Sequence, residues 1–119
     1  MKKIKTFYII IVINLLLNSS LSAATFTEPS KISFIGVYGL NNISVQLENS
    51  NIANPMNCQK TTSATKIYKI IDTSDHGKNM YSLVLASKAS GVNVKLVVNE
   101  NECTAEGYAI INGIVSLQQ

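Results

Sequence analysis

Three observations predict a mainly β domain with one helix, held by one disulfide. Short segments rich in β-branched residues alternate apolar and polar side chains, as at Ile43–Leu47 and Val92–Val98. Past residue 24, only Lys78 to Ser90 reads as a helix. Two cysteines, Cys58 and Cys103, stand 45 residues apart in a chain of 119 residues.

The first 24 residues read as a secretory leader rather than as part of the fold. Lys2, Lys3 and Lys5 precede an apolar run from Phe7 to Leu17, broken only by Asn14, and Asn18 to Ala24 is small and polar. A membrane-spanning helix needs roughly 17–25 apolar residues, which this run does not reach, so no stable membrane insertion is expected. Cleavage fits after Ala23 or Ala24, and no cysteine stands nearby to carry a lipid. That leaves one domain, residues 25–119. In an exported chain a cysteine pair reads as a disulfide. The rival readings are two free thiols or a metal pair, but two cysteines and one histidine fall short of the four ligands of a closed zinc site.

The elements follow in order. Thr25 to Ser30 is a short lead-in. Lys31 to Tyr38 is a first strand, Gly39 to Asn42 a turn, and Ile43 to Leu47 a second strand with Ile43, Val45 and Leu47 on one face. Glu48 to Asn57 is an asparagine-rich loop, since asparagine tolerates left-handed backbone and bonds its own chain. Thr65 to Ile71 is a third strand. Asp72 to Gly77 breaks it and offers Ser74 and Asp75 as helix caps, and Gly91 closes the helix. Met80, Tyr81, Val84 and Leu85 form the helix's apolar stripe, with Leu83 and Ala86 outside it. Val92 to Val98 is a fourth strand, Asn99 to Gly107 an acidic loop carrying Cys103, and Tyr108 to Leu117 a fifth strand. Gly113 inside that strand marks a bulge or a close backbone approach.

The order β-β-β-α-β-β is that of a five-stranded OB-fold-like barrel. One feature is awkward for a lone barrel. Ile32 and Phe34 alternate with Ile35 and Val37, Ile67 and Ile71 with Tyr68 and Ile70, and Ile111 with Ile110 and Ile114. Small barrels keep most outer faces polar. The surplus favours a homo-oligomer whose interface draws on Ile35, Val37, Tyr68, Ile70, Leu83, Ile110 and Ile114. The alternative is that loops and the helix cover these residues within one chain.

Charge narrows the partners. The chain has ten lysines, no arginine and no tryptophan. Three lysines belong to the leader, and the other seven balance seven acids, so the domain is neutral. It lacks the basic footprint of a nucleic-acid binder. Catalytic chemistry has little to draw on. His76, the single histidine, sits in a turn with no orienting carboxylate or nucleophile evident, and reads as an exposed cap residue. Glu100, Glu102 and Glu106 lack the spacing of a calcium loop. There is no phosphate-binding or dinucleotide motif, so no cofactor is expected. Asn42-Ile-Ser44 matches the glycosylation acceptor pattern. Neutral polar loops beside Tyr38, Tyr68, Tyr81 and Tyr108 suit sugar hydroxyls, although each such residue is also ordinary turn chemistry.

Several segments together resemble a known group. They are Lys31-Ile-Ser-Phe-Ile-Gly-Val-Tyr38, Cys58 ahead of the third strand, Asn79 to Gly91 ending in Ala-Ser-Gly, the Val92-Asn-Val-Lys-Leu96 strand, Cys103, and the Ile-rich last strand. This set is similar to the subtilase-cytotoxin and pertussis-like toxin B subunits. The resemblance implies an OB-fold, a ring assembled around the helices, host-glycan binding, and a toxin A subunit as partner. It spans most of the domain and carries no glycan-contact residue across. The expected function is therefore an exported, non-catalytic glycan-binding subunit. The alternative is a periplasmic or secreted interaction, stress or inhibitor protein that binds a protein partner.

Overall fold

The computed structural model describes residues 24–39, 41–49 and 51–117. The leader expected over residues 1–24 lies outside them but for Ala24, as do the last two residues of the domain. The elements are β1 (Thr25–Phe26), β2 (Ile32–Gly39), β3 (Asn42–Leu47), β4 (Ile67–Ile70), α1 (Asp75–Ser90), β5 (Asn93–Cys103) and β6 (Ala109–Leu117). The protein is mainly β with one helix, and Cys58 is joined to Cys103 with their Cα atoms 5.7 Å apart.

The expected closed five-stranded barrel is corrected to an open six-stranded sheet, ordered β1-β5-β6-β4-β3-β2. The added strand is β1, which lies in the expected lead-in. Thr25 and Phe26 pair with Val98 and Val97 of β5. Two residues carry no period of their own, and their partners lie roughly 70 residues on, so no local pattern announces the strand. The sheet thus begins and ends with neighbouring pieces of chain. Between them, Ser30 bridges Val94, and the Thr27 N–H donates to the Leu96 carbonyl while Thr27 Oγ1 accepts from the Leu96 N–H. All strand pairs are antiparallel except β4 with β6.

Cross-strand pairing sorts side chains into rows. Ile35, Val45, Tyr68 and Ala109 form one row and lie in or against the core. The next row, on the opposite face, is Gly36, Ser44, Lys69 and Ile110. Two slips in register explain much of the double-sided apolar pattern. One lies between Ile32 and Phe34, so that Ile32 and Ile35 both meet the core while Phe34 is exposed. The other skips Asn112, so that Ile111 and Ile114 both pack inward and Val115 turns out. A bulge reverses the alternation of every residue beyond it. The second bulge lies beside Gly113, where the sequence places one.

The helix opens at Asp75 rather than Lys78. Ser74 is extended, and its N–H donates to the Asp72 carboxylate at 2.8 Å. Gly91 closes the helix at φ 68°, with its N–H donating to the Lys88 carbonyl and the Val92 N–H donating to that of Ser87. The buried stripe is Gly77, Met80, Val84 and Ser87, narrower than the stripe expected. Tyr81 is half-buried and Leu85 is exposed. Gly77 sits so close to the chain before the helix that a Cβ there would lie 1.8 Å from the Asp72 carbonyl oxygen. The asparagine-rich loop is pinned from within. The Tyr68 hydroxyl donates to the Ala53 carbonyl at 2.8 Å and accepts from the Ala53 N–H at 3.0 Å.

Candidate functional site

The residue that organises the outer sheet face is Lys69, which the sequence reading passes over. It sits in β4 between Tyr68 and Ile70, and β-strand alternation turns it away from the core. It is nevertheless only 8% exposed. Its ammonium donates to Asn42 Oδ1 at 2.8 Å and to Ser44 Oγ at 2.7 Å. It also lies 4.7 Å from the centre of the Tyr108 ring and 5.2 Å from that of Tyr38, within cation–π range. Burial lowers the Lys69 pKa from its ordinary value, and the nearby Glu106 carboxylate partly offsets this.

One of these rings, that of Tyr38, rests on a glycine. An added Cβ at Gly36 would meet the Tyr38 ring at 2.8 Å and the Phe34 ring at 2.9 Å, so both rings converge over this backbone. Tyr38 remains 65% exposed and Phe34 is exposed beside it. The result is an aromatic shelf on β2, next to the fixed polar cluster of Asn42, Ser44 and Lys69. A cavity of about 260 Å³ adjoins it, lined by Asn41, Asn42, Lys69, Thr104 and Glu106 among others. Asn42 and Ser44 are the ends of the glycosylation acceptor pattern, and both side chains are engaged with Lys69.

The tyrosines considered together in the sequence separate. Tyr38 and Tyr108 flank Lys69, Tyr68 is core, and Tyr81 lines a different groove. That groove, about 490 Å³ and largely apolar, runs between the end of β2 and the start of α1, past Val37, Ile43, Gly77 and Tyr81. The acidic residues also disperse. Glu100 accepts a hydrogen bond from the Thr25 hydroxyl, Glu106 approaches Lys69, and Glu102 lines a cavity with His76. Among the described residues, no three His, Cys, Asp or Glu side chains come together to hold a metal. His76 Nε2 lies 2.7 Å from the Asn112 carbonyl, and because a carbonyl only accepts, that nitrogen carries the hydrogen. The bond ties the start of the helix to the bulge in β6. Nearby, hydrogen bonds from the Ser74 side chain and N–H hold the Asp72 carboxyl below its usual pKa.

The expected interface residues take different places. Val37 is 57% exposed, and Ile35, Leu83 and Ile114 are half-buried. Tyr68, Ile70 and Ile110 lie inside the chain, at 4% exposure or less, and have almost no side-chain surface to offer a second chain. Among the described residues, no helix is long and apolar enough to cross a membrane.

Sequence could have pointed to Lys69 through one signal: it is the single charge inside Ile67-Tyr-Lys-Ile-Ile71. A charge in so apolar a strand needs a partner set. Compared with known proteins, the chain matches no family model and no curated protein.

Proposed function

We propose that this chain is an exported, non-catalytic binding subunit that recognises cell-surface glycans through the Tyr38 shelf. The observation that carries the reading is an exposed aromatic ring held beside fixed neutral and charged hydrogen-bonding groups. Rings stack on the apolar face of a sugar, and amides and hydroxyls bond its hydroxyl groups. An OB-fold-like arrangement of residues 25–119 accords with the parallel β4–β6 pair and with α1 lying between β4 and β5. Export is supported by the leader pattern and by the disulfide, which persists in oxidising compartments. Assembly as an oligomer accords with the exposed Val37 on β2 and Leu85 on α1, and a toxin A subunit as a further partner rests on the resemblance alone.

The test is a glycan array and light scattering on residues 25–119. Wild type binds a defined set of glycans as a multimer. Tyr38→Ala weakens that binding about tenfold or more with the circular dichroism unchanged. A monomer that marks no glycan refutes the reading. The apolar groove of Val37, Ile43 and Tyr81 favours the second reading, a periplasmic or secreted interaction protein, which a protein partner without any sugar response would support.

A further inference from the structure

We propose that the cavity beside Lys69 seats one uncharged sugar ring bearing two adjacent hydroxyls, and that Glu106 turns acidic sugars away. This rests on the glycan reading and adds the class of sugar taken.

Size sets the first limit. At about 260 Å³ the cavity falls below the ~300 Å³ at which sites for drug-sized ligands begin, so it holds a single ring rather than a chain. The chemistry of its walls sets the second. Lys69 has three N–H donors, and two are committed to Asn42 Oδ1 and Ser44 Oγ. Among the described residues the third meets no hydrogen-bond acceptor, and it can turn to a ligand oxygen. With its Oδ1 engaged, Asn42 keeps its NH₂ as a donor. Thr104 Oγ1 already accepts from the Tyr108 N–H, which leaves its own hydroxyl hydrogen to give. Asn41 adds another amide, and the Glu106 carboxylate accepts only. Two neighbouring hydroxyls match a carboxylate well, each donating to one of its oxygens.

Charge sets the third limit. One ammonium and one carboxylate line the cavity, so the walls carry no net charge. A sugar carboxylate is best held by a bidentate guanidinium, and the chain has no arginine. Lys69 does not replace it, because an ammonium with one N–H left to give cannot hold both carboxylate oxygens as a guanidinium fork does. An acidic sugar would also bring its charge against Glu106, and like charges at close range oppose binding. A neutral diol uses the same groups without that opposition.

The test titrates the full secreted chain with methyl glycosides of galactose, glucose and mannose, and with N-acetylneuraminic and glucuronic acids, followed by amide NMR shifts. At least one neutral glycoside binds and shifts the amides of Asn41, Lys69 and Glu106, while the acids shift none of them. Glu106→Gln and Asn41→Ala, both on exposed residues, keep the wild-type spectrum elsewhere. Glu106→Gln weakens the neutral sugar about tenfold, the scale of a lost charge-assisted hydrogen bond. Tighter binding of an acid, or neutral binding indifferent to both variants, overturns the inference. Array binding that requires Tyr38 but ignores Glu106→Gln overturns the cavity assignment and leaves the glycan reading standing. Absence of any glycan on the array removes both.

Discussion

Replacing Gly77 with alanine separates what helix propensity says from what packing says. Gly77 lies in the first turn of α1, and propensity alone credits Gly→Ala with about 1 kcal/mol of stabilisation. The structure reverses the sign. The new Cβ would lie 1.8 Å from the Asp72 carbonyl oxygen and 2.6 Å from its carbon. Carbon–oxygen contacts settle at about 3.3 Å or more, so helix and preceding chain must part by about 1.5 Å. No flexible side chain can swing aside, because the obstacle is backbone. Overpacking of this kind costs about 3 kcal/mol at the upper end of its usual range. After the propensity gain, a net loss of about 2 kcal/mol remains. For a domain of this size, that lowers Tm by roughly 8–16 °C. Thermal unfolding of residues 25–119, followed by circular dichroism, measures it. Gly91→Ala is the control. Nothing lies within 4 Å of a Cβ there, so it loses only about 1 kcal/mol to left-handed strain. A Gly77→Ala protein that melts at or above the wild-type temperature would refute the reasoning.

The other predictions concern the disulfide and the buried lysine. Cys58→Ser and Cys103→Ser each remove a cross-link closing a 45-residue separation, worth about 4 kcal/mol by chain entropy, and should lower stability equally in urea. A difference between them above about 1 kcal/mol contradicts a shared bond as the cause. Burial keeps the Lys69 pKa below 10.5, so on raising the pH the folded chain loses this proton before the unfolded chain does. The cost of burying the charge is therefore fully present below the folded pKa and is relieved as pH rises from there to 10.5. Lys69→Met abolishes this contribution to the alkaline slope, and a stability–pH curve parallel to wild type across that window would show the cause is wrong.

Much of the fold is legible because its signals are local. Alternation at Ile43–Leu47 and Val94–Val98 marks strands that the structure contains, and Gly91 ends the helix where a left-handed residue is needed. Three features escape because their causes are distant. β1 exists through its pairing with β5. The bulges at Ser33 and Asn112 change which residues face inward without changing composition, so Ile35 and Ile114 pack inward where unbroken alternation turns them outward. Lys69 reads as a solvent-facing strand residue until Asn42, Ser44, Tyr38 and Tyr108 are brought around it from three other parts of the chain.

If the chain is exported, the place of β1 bears on the order of folding during that passage. Thr25 meets Val98 across the longest separation of any strand pair in the sheet, and closing so long a loop comes late in folding. In a chain threaded through a membrane channel amino end first, the first strand to emerge is the last to dock. It must wait, uncommitted, until β5 has followed it across. On the exported reading, folding cannot finish while the chain is still in transit, and the leader's cut, made just ahead of Thr25, frees the very segment that completes the sheet.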